Sequence, residues 1–527
     1  MDEKVKKKKG KSKLKIIIII LLIVIVAVVG FYIYNKKNKG TNNSITNDKT
    51  EVSSAYRMSG NGIENFDLSF LKLENKETNL LYSPLSIKYA LAMLSTGANG
   101  NSKAQIDAII GDYSSKKYIN SNNMSFANAM FIKDSFKDNV KKDYTDKLSS
   151  RYDASVIYDS FKTPDKINSF VSEKTFGLIN KLFDRDISSN NFFLVNALAI
   201  DMEWNKWLQA TSQSDYKDFY NVSYNHEKYN DYIEPIMGER YQTLKFNNNS
   251  INAKAVQIGA SINNYDIIKE LGEENIRKTI KSEYQSFIDE DSCGIRTNPD
   301  ANKDDLDVDK FTDKFISELK ENYKRVDSST DFMLYTDDKV KAFAKDLKTY
   351  NGTTLQYVGI MPKTDDLASY VKNLDSSDIS GIIKNLKEIK AENFTEGKVT
   401  KITGYIPLFK FDYQLQLKKD LKELGVLDVF DEKKADLSNM ITGTSNYIDS
   451  ADHKANIEFS NEGIKAAAVT VEGGFGSTGC GFEHLYDVPV EEINITFDKP
   501  YLFLIRDKDT GEVWFVGTVY EPITNVE

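Results

Sequence analysis

The sequence predicts an α+β domain that follows an N-terminal membrane anchor. Three observations support this prediction. Helical and strand patterns both recur after about residue 59, and 40% of the 527 residues are apolar, which is ample for one large core. An uncharged apolar run precedes this domain. Near the C-terminus, a long loop separates two strand patterns, and a loop of this length in a compact domain is usually functional.

The N-terminal segment is predicted to anchor the chain. A basic tail (residues 1–15) precedes 19 uncharged residues, 16–34, which are long enough as a helix to cross hydrocarbon. No small-residue cleavage site follows, so we expect an uncleaved, single-pass transmembrane helix. More lysines precede the span than follow it, which places the N-terminus in the cytoplasm and the rest outside the cell. Residues 35–58 are polar and predict a flexible tether, and residues 59–527 form the folded domain.

Composition limits the function classes. The net charge of −9 argues against nucleic-acid binding, which needs a basic surface. Only three histidines occur, so we expect no metal centre and no cofactor. The two cysteines, Cys293 and Cys480, are compatible with one disulfide or with two free thiols.

Helical patterns occur in both halves of the chain. Proline near the first turn favours a helix start at Pro84, and Gly97 favours its end. The predicted helices are one through Ile63, Phe66, Leu68 and Leu71, then Pro84–Leu94, a stretch within Ile167–Phe183, and an amphipathic surface helix through Phe311, Phe315, Leu319 and Tyr323.

Strand patterns dominate the C-terminal third, whereas residues from about 208 to 340 are more polar. Runs of apolar and β-branched residues bounded by polar or glycine-containing segments predict strands. They are Phe192–Met202, Leu355–Pro362, Ile402–Phe411, His453–Phe459, Ile493–Asp507 and Val513–Tyr520.

The loop from Asn461 to Tyr486 has two contrasting halves. Residues 466–471 are small or β-branched and suit a buried strand, whereas residues 473–481 are rich in glycine. A segment that is exposed in one state and pairs as a strand in another indicates a conformational switch.

Eight motifs in this order give the chain a clear resemblance to the serpin family. They lie at 79–106, 167–179, 193–204, 359–363, 407–430, 435–440, 453–470 and 497–522. The resemblance implies a serpin fold with three β-sheets, about nine helices and an exposed reactive-centre loop at about 461–490. It also implies a large insertion at roughly 208–340.

The resemblance places the family's loop hinge directly after the strand at His453–Phe459. Gly463 and the alanines match the family pattern, whereas Asn461, Ile464 and Lys465 depart from it. Side chains of an inserting strand alternate between the two faces of the sheet. If Ile464 points to the interior, Ala466, Ala468 and Thr470, which are also uncharged, share its face, while Lys465 points outward. The hinge residues are Glu462, Gly463, Ile464, Lys465, Ala466, Ala467, Ala468, Val469 and Thr470.

Counting along the family's usual hinge places the cleaved bond between Ser477 and Thr478. The segment before Pro500 is longer than usual, so Phe475, Leu485 and Tyr486 remain alternatives. No lysine or arginine lies between residues 466 and 498, and a trypsin-like pocket needs a cation. We therefore expect a chymotrypsin-, elastase- or subtilisin-like target rather than a trypsin-like one.

The family's strand-opening region also has matches in this chain. Ser83, Ser86, Asn196 and His453 are expected to form a buried hydrogen-bonded cluster under the main sheet. Trp204 matches the tryptophan beside the point where the loop enters. No histidine belongs to a recognisable triad, so the chain is not expected to be an enzyme and has no catalytic residue.

The resemblance implies an extracellular, membrane-tethered suicide-substrate inhibitor of serine or cysteine proteases. Its loop would be cleaved and would insert into the main sheet. We expect a monomer on the surface of a bacterium, because the sequence is rich in asparagine, lysine and isoleucine. The alternative is a non-inhibitory serpin that acts as a binding module through its insertion or its loop.

Overall fold

The computed structural model describes most of the predicted domain. The described residues are 62–111, 113–208, 233–235, 242–297, 303–443, 446–464, 482, 484 and 486–524. The predicted anchor at 16–34 and tether at 35–58 lie outside these ranges. Within the ranges, no helix combines the length and the apolar character needed to span a bilayer.

Eleven α-helices occur in the described ranges, more than the nine expected. Three of them, α6–α8, lie within the predicted insertion. The helices are α1 (Ser69–Leu73), α2 (Pro84–Gly97), α3 (Gly100–Ile110), α4 (Lys142–Tyr152), α5 (Asp165–Lys174), α6 (Ile267–Leu271), α7 (Glu273–Asp289), α8 (Val308–Asn322), α9 (Leu367–Asn373), α10 (Ser376–Lys384) and α11 (Leu417–Glu423).

Local chemistry explains where the helices begin and end. The Ser83 side chain accepts a hydrogen bond from the Ser86 amide and caps α2, whose first residue is proline. Helix α5 stops at Lys174, earlier than the predicted stretch to Phe183. The backbone then turns through Phe176 and Gly177, which both have positive φ angles of 54° and 75°.

Twenty strands complete the described fold. They are β1 (Leu80–Tyr82), β2 (Met124–Lys133), β3 (Ala154–Asp159), β4 (Phe192–Ile200), β5 (Met202–Glu203), β6 (Ile233–Pro235), β7 (Gln242–Phe246), β8 (Ile251–Asn263), β9 (Val326–Ser328), β10 (Met333–Thr336), β11 (Val340–Asp346), β12 (Leu355–Pro362), β13 (Lys387–Glu388), β14 (Val399–Pro407), β15 (Phe409–Leu415), β16 (His453–Phe459), β17 (Gly463–Ile464), β18 (Val490–Asn494), β19 (Tyr501–Asp507) and β20 (Val513–Val519).

The single strand predicted at Ile402–Phe411 is two strands. β14 ends at Pro407, and β15 begins at Phe409. Between them, the Leu408 amide donates to the Lys254 carbonyl of β8. The chain leaves one sheet here and enters another, so one apolar run serves two sheets.

The described strands form four hydrogen-bonded sheets, one more than expected. The first has seven strands in the order β1-β20-β19-β12-β11-β10-β13, and the second runs β18-β14-β8-β7-β6 with β9 beside β8. The other two are β15-β16-β17-β5 and β3-β2-β4. Since β5 begins two residues after β4 ends, these last two sheets are halves of one divided sheet.

The buried apolar side chains form four clusters around these sheets. Two large apolar clusters contain most of the buried side chains, including those of α2, β12 and β20. A smaller cluster packs α5 and the chain after it against β2 and β4. A fourth cluster lies under the additional helices α6–α8.

Candidate loop-insertion site

The loop begins inside the divided sheet. Gly463 and Ile464 form β17, which is antiparallel both to β16, through Phe459 and Ile464, and to β5, through Met202 and Glu203. Ile464 is 1% exposed and therefore occupies the inner face. The first two residues after the turn thus already form a short strand between β16 and β5.

Gly463 is required by the closeness of the neighbouring strand. A Cβ atom at this position would lie 2.2 Å from the Met202 carbonyl oxygen and 2.7 Å from the Glu203 Cα. Any larger side chain would force β17 away from β5. The match of this glycine to the family hinge therefore has a steric cause.

Trp204 holds the turn between β16 and β17. The side chain is fully buried, and its Nε1 donates to the Ser460 carbonyl at 2.9 Å. The Trp204 amide donates to the Glu462 carbonyl at 2.8 Å. Ser460 closes the turn because its Oγ accepts from the amides of Glu462 and Gly463. Sequence analysis missed Ser460, although a serine that ends a strand before a glycine-containing turn is a recognisable signal.

Below β17, the two halves of the sheet separate. In the described ranges, no ladder joins β4 to β16. A cavity directly below Ile464 is lined by Ile200 of β4 and Ile457 of β16. A second cavity is lined by Asn196 of β4 and His453 of β16. The two cavities mark an unfilled place between the strands, which we call the slot.

The slot continues into an apolar cavity beneath α2. Leu94 of α2, Leu194 of β4 and Leu421 of α11 line this third cavity. The second and third cavities share Leu194 and Val195 of β4 and Asp452 before β16, whereas the first and second share Phe515 of β20. A strand entering the slot would therefore break few existing backbone hydrogen bonds.

Helix α5 and the chain after it cover the slot. Leu178 and Leu182 line its cavities from this side. Asn168 of α5 fixes the cover, because its side-chain oxygen accepts from the Leu182 and Phe183 amides, both at 2.9 Å. Its side-chain amide donates to the Phe183 carbonyl at 2.7 Å. The cover must shift before a longer strand can form in the slot.

The structure brings the four cluster residues together at the lower end of the slot. The Ser83 amide donates to His453 Nε2 at 2.9 Å, which ties the start of α2 to β16. The Ser86 hydroxyl donates to the Asn196 side-chain oxygen, which ties α2 to β4. Helix α2 thus holds both edges of the slot through side chains that can exchange partners.

Asn128 extends this cluster and was not identified from the sequence. It lies opposite Asn196 in the β2–β4 ladder and is 4% exposed. The Asn196 side-chain amide donates to the Asn128 side-chain oxygen at 2.5 Å, and Asn128 donates to the Tyr152 carbonyl at 2.9 Å. An asparagine within the apolar run of β2 was the available signal, since buried polar side chains need partners.

His453 is a neutral core histidine. Burial lowers its pKa from 6.5 to about 4. Because Nε2 accepts the hydrogen bond from Ser83, the ring proton of the neutral form belongs on Nδ1. The residue holds structure together and has no catalytic environment.

The remaining predicted site residues divide between described and undescribed positions. Of the hinge, Glu462, Gly463 and Ile464 are described, and Lys465 to Thr470 lie outside the described residues. Of the candidate bond residues, Tyr486 is described and 8% exposed. The other candidates, Phe475, Ser477, Thr478 and Leu485, lie outside. No group of three or more metal-ligating side chains occurs in the described part of the chain.

Comparison with known proteins agrees with this architecture. The family model described as "Serpin (serine protease inhibitor)" matches residues 64–264 and 310–522. The leukocyte elastase inhibitor of Homo sapiens is 32% identical over 226 residues, which are 40% of this chain and about half, 55%, of the relative. The Xenopus tropicalis protein of the same name is 25% identical over 87% of this chain and 97% of its own length.

A solved structure shares the fold. The native state of the thermophilic serpin tengpin aligns with a TM-score of 0.54 at 20% identity. The alignment covers 89% of this chain and 97% of tengpin. The family model covers most of the chain in two blocks, and the shared fold extends across both. This chain therefore belongs to the serpin family.

Proposed function

We propose that this chain is a suicide-substrate inhibitor of serine or cysteine proteases. A protease would cleave the loop after β17, and the freed segment would enter the slot as a new strand. The observation that carries the proposal is β17 itself, whose two residues are already paired between β5 and β16 above an unfilled slot.

The register of β17 determines where the following residues would lie. Phe459 is opposite Ile464, so continuing the β16 ladder places Ala466 opposite Ile457, Ala468 opposite Ala455 and Thr470 opposite His453. These three β16 residues are all buried. Directly opposite residues share a face, so the inserting chain would present small, uncharged side chains to the core.

The same register explains one departure from the family pattern. Lys465 would lie opposite Glu458 on one side and Asp201 on the other, if both ladders continue. Glu458 is partly exposed on the outer face and already pairs with Lys410 at 2.8 Å. A lysine between two carboxylates suits this position, whereas the acidic residue usual in the family would be repelled.

Insertion would supply the driving force for trapping the protease. Each new backbone hydrogen bond contributes about 0.5–1.5 kcal/mol net. A strand of about ten residues bonded on both sides would therefore contribute on the order of 10 kcal/mol. The protease hydroxyl or thiol attacks the loop carbonyl, the amine side leaves with a proton, and the acyl-enzyme moves with the inserting strand. Distortion of the protease would then stall hydrolysis.

The relatives favour an elastase-like target. Two of them are named leukocyte elastase inhibitors, and the loop lacks lysine and arginine from residue 466 to residue 498. Small and aromatic residues in that stretch suit elastase-, chymotrypsin- or subtilisin-like pockets.

The test pairs two aspartate substitutions on adjacent residues of the full chain. Ala468→Asp would bury an unpaired charge in the slot, whereas Ala467→Asp would place the same charge on the outer face. With pancreatic elastase, chymotrypsin and subtilisin, we expect wild type and Ala467→Asp to form complexes that survive denaturing gels. Ala468→Asp should be cleaved without forming a complex.

Two outcomes contradict the proposal. If Ala468→Asp inhibits as well as wild type, the assigned face is wrong. If wild type is cleaved without a complex and its melting temperature does not rise after cleavage, insertion does not occur. The chain would then be a non-inhibitory binding module.

The proposal includes a position at the cell surface. Residues 16–34 would hold the inhibitor on the outer side of a membrane as a monomer. We expect the full chain to sediment with membranes and the double variant Ile20→Lys/Leu22→Lys to become soluble, because charges at the bilayer centre are costly. Wild type in the soluble fraction would contradict the anchor.

A further inference from the structure

Helices α7 and α8 form an antiparallel pair that interrupts the family pattern. Helix α7 lies within the stretch 265–309, which the family model leaves unmatched, whereas α8 begins at the end of that stretch and continues into the second matched block. Ion pairs join them in antiparallel order: Lys320 Nζ lies 2.7 Å from Glu273, and Lys281 Nζ lies 2.5 Å from Asp309. The pair is therefore a built unit with its own contacts.

This pair binds the chain at the C-terminal end of the loop. The Phe482 ring lies 5.2 Å from Tyr284 and 5.8 Å from Phe287, both of α7. It lies 5.5 Å from Phe311 of α8, whose ring stacks on Tyr284 at 3.5 Å. The Phe482 ring meets Tyr284, Phe287 and Phe311 edge-on, which is a favourable arrangement for aromatic rings.

The residues after Phe482 are held by further contacts. His484 Nδ1 lies 2.5 Å from a Glu283 carboxylate oxygen of α7. Tyr486 and Val488 are 8% and 6% exposed within the apolar cluster that includes Ile276. From Val490 the chain pairs with β14 as β18. The chain is thus anchored well before β18 begins.

A covalent link reinforces this arrangement. Cys293, four residues after α7, is disulfide-bonded. The chain has two cysteines, and the other is Cys480, two residues before Phe482 in sequence.

We propose that α7 and α8 form a dock that holds the loop from Phe482 onward and confines cleavage to residues 465–481. A disulfide from Cys293 to the other cysteine of the chain would close the N-terminal edge of the dock. A protease must draw several consecutive residues into an extended strand across its active site, and docked residues are withheld from it. The bonds at Leu485 and Tyr486 are thereby closed to cleavage, and those at Phe475, Ser477 and Thr478 stay open.

The dock also explains the unusual length of the segment before Pro500. Phe482, His484, Tyr486 and Val488 lie against the helix pair or its apolar cluster, so this part of the segment would not extend the bait. The inference rests on the proposed function only in treating the loop as protease bait. Its test reads the position of the cut, which does not require inhibition.

The test maps the first chymotrypsin cuts in the full chain by mass spectrometry. Chymotrypsin accepts Phe475, Phe482, Leu485 and Tyr486, so one protease probes both sides of the boundary. We expect wild type to be cut first within 465–481. In Tyr284→Ala/Cys293→Ser, which leaves the loop sequence unchanged, initial cutting after residues 482–486 should rise about tenfold, equivalent to about 1.4 kcal/mol.

Two further variants distinguish an effect on the dock from misfolding of the chain. Glu283→Ala removes only the partner of His484, and its carboxylate is 45% exposed, so the fold should persist while late cuts rise about threefold. Tyr323→Ala removes a 37% exposed ring just after α8 and should leave the cut pattern unchanged.

An unchanged pattern in both dock variants would overturn the proposal, as would wild-type cutting after Tyr486 as fast as within 465–481. Loss of stable protease complexes with the cut pattern intact would instead contradict the proposed inhibition and leave the dock standing.

Discussion

The seven-stranded sheet, which we call the closed sheet, and the divided sheet contain similar strands but differ in how completely those strands are paired. In the first, β11 and β12 pair over seven residues and β12 and β19 over six, and every residue of β12 and β20 is buried. In the second, β4 and β16 are strands of similar length that share no described ladder. The strands of the first sheet are paired along their lengths, whereas small cavities separate β4 from β16 in the second.

The two sheets also differ in how they are attached to α2. The closed sheet is attached to α2 by a buried ionic group, in which Lys88 lies 3.0 Å from Asp67 and 2.5 Å from Glu512. The divided sheet is attached to the same helix by neutral groups: the Ser83 amide donates to His453, and the Ser86 hydroxyl donates to Asn196. The first attachment resists any rearrangement, while the second consists of bonds that water or a new strand can replace.

The largest effect is expected where the closed sheet is attached. Lys88→Ala would leave two buried carboxylates without their partner, which costs about 3–5 kcal/mol of the free energy of unfolding. Lys142→Ala removes a lysine that is 86% exposed in an ion pair and should cost less than about 0.5 kcal/mol. Urea unfolding of the full chain measures both. If Lys88→Ala and Lys142→Ala lowered the free energy of unfolding equally, the buried ionic group would hold the closed sheet no more strongly than a surface ion pair does.

The second prediction concerns pH at the divided sheet. The pKa of His453 is about 4 in the folded chain, below its ordinary 6.5, so between these values the unfolded chain binds the extra proton. The free energy of unfolding should have its full value above pH 6.5 and should decrease by about 3 kcal/mol as the pH drops through 4. His453→Gln should lose this step and His484→Gln should keep it. A step that persists in His453→Gln would assign it to another group.

Weakening the cover over the slot should have an intermediate effect on the free energy of unfolding. Asn168→Ala removes three hydrogen bonds that fix the chain after α5, at a cost of about 1–3 kcal/mol. We expect the intact loop of this variant to enter the slot spontaneously on heating, seen as loss of inhibition without cleavage. Asn373→Ala, on the exposed surface of α9, is the matched control. Slower loss of inhibition in Asn168→Ala than in wild type would contradict a role as cover.

The smallest change in stability is expected at the start of the loop. Gly463→Ala would push β17 from β5 and lose about 1 kcal/mol of pairing. Hydrogen exchange at the Ile464 and Trp204 amides should accelerate, and cleavage should more often proceed without complex formation. Gly381→Ala, in α10 with no neighbouring atom within 4 Å, should be neutral or slightly stabilising. Unchanged exchange in Gly463→Ala would show that β17 is not held by its fit to β5.

The sequence predicted the serpin fold because its motifs combine packing and backbone requirements. Gly463 was matched through the family's hinge pattern, and Ile464 does occupy the inner face. The alanines after it lie outside the described residues, so their alternation between the two faces stays a prediction. The family match confirms the fold. Positions determined by local chemistry, such as the cap at Ser83, were also within reach of the sequence.

The division of the sheet could not be read from strand patterns. β16 carries the alternation of a half-buried strand and β4 is a nearly continuous apolar run, and neither pattern says which neighbours bond to the strand. Asn128 was missed because its partner, Asn196, is 68 residues away in sequence. The face of α8 was predicted as amphipathic, yet amphipathicity does not identify Phe482 as the side chain that covers it.

The pairing of Ile464 has a kinetic consequence. When a new strand forms, the first contact is the most costly, because the chain must be ordered before any hydrogen bond stabilises it. Here that step is complete before a protease arrives. After cleavage, only elongation down the slot and displacement of the cover would remain. The race between insertion and release of the protease would then start with the insertion already nucleated.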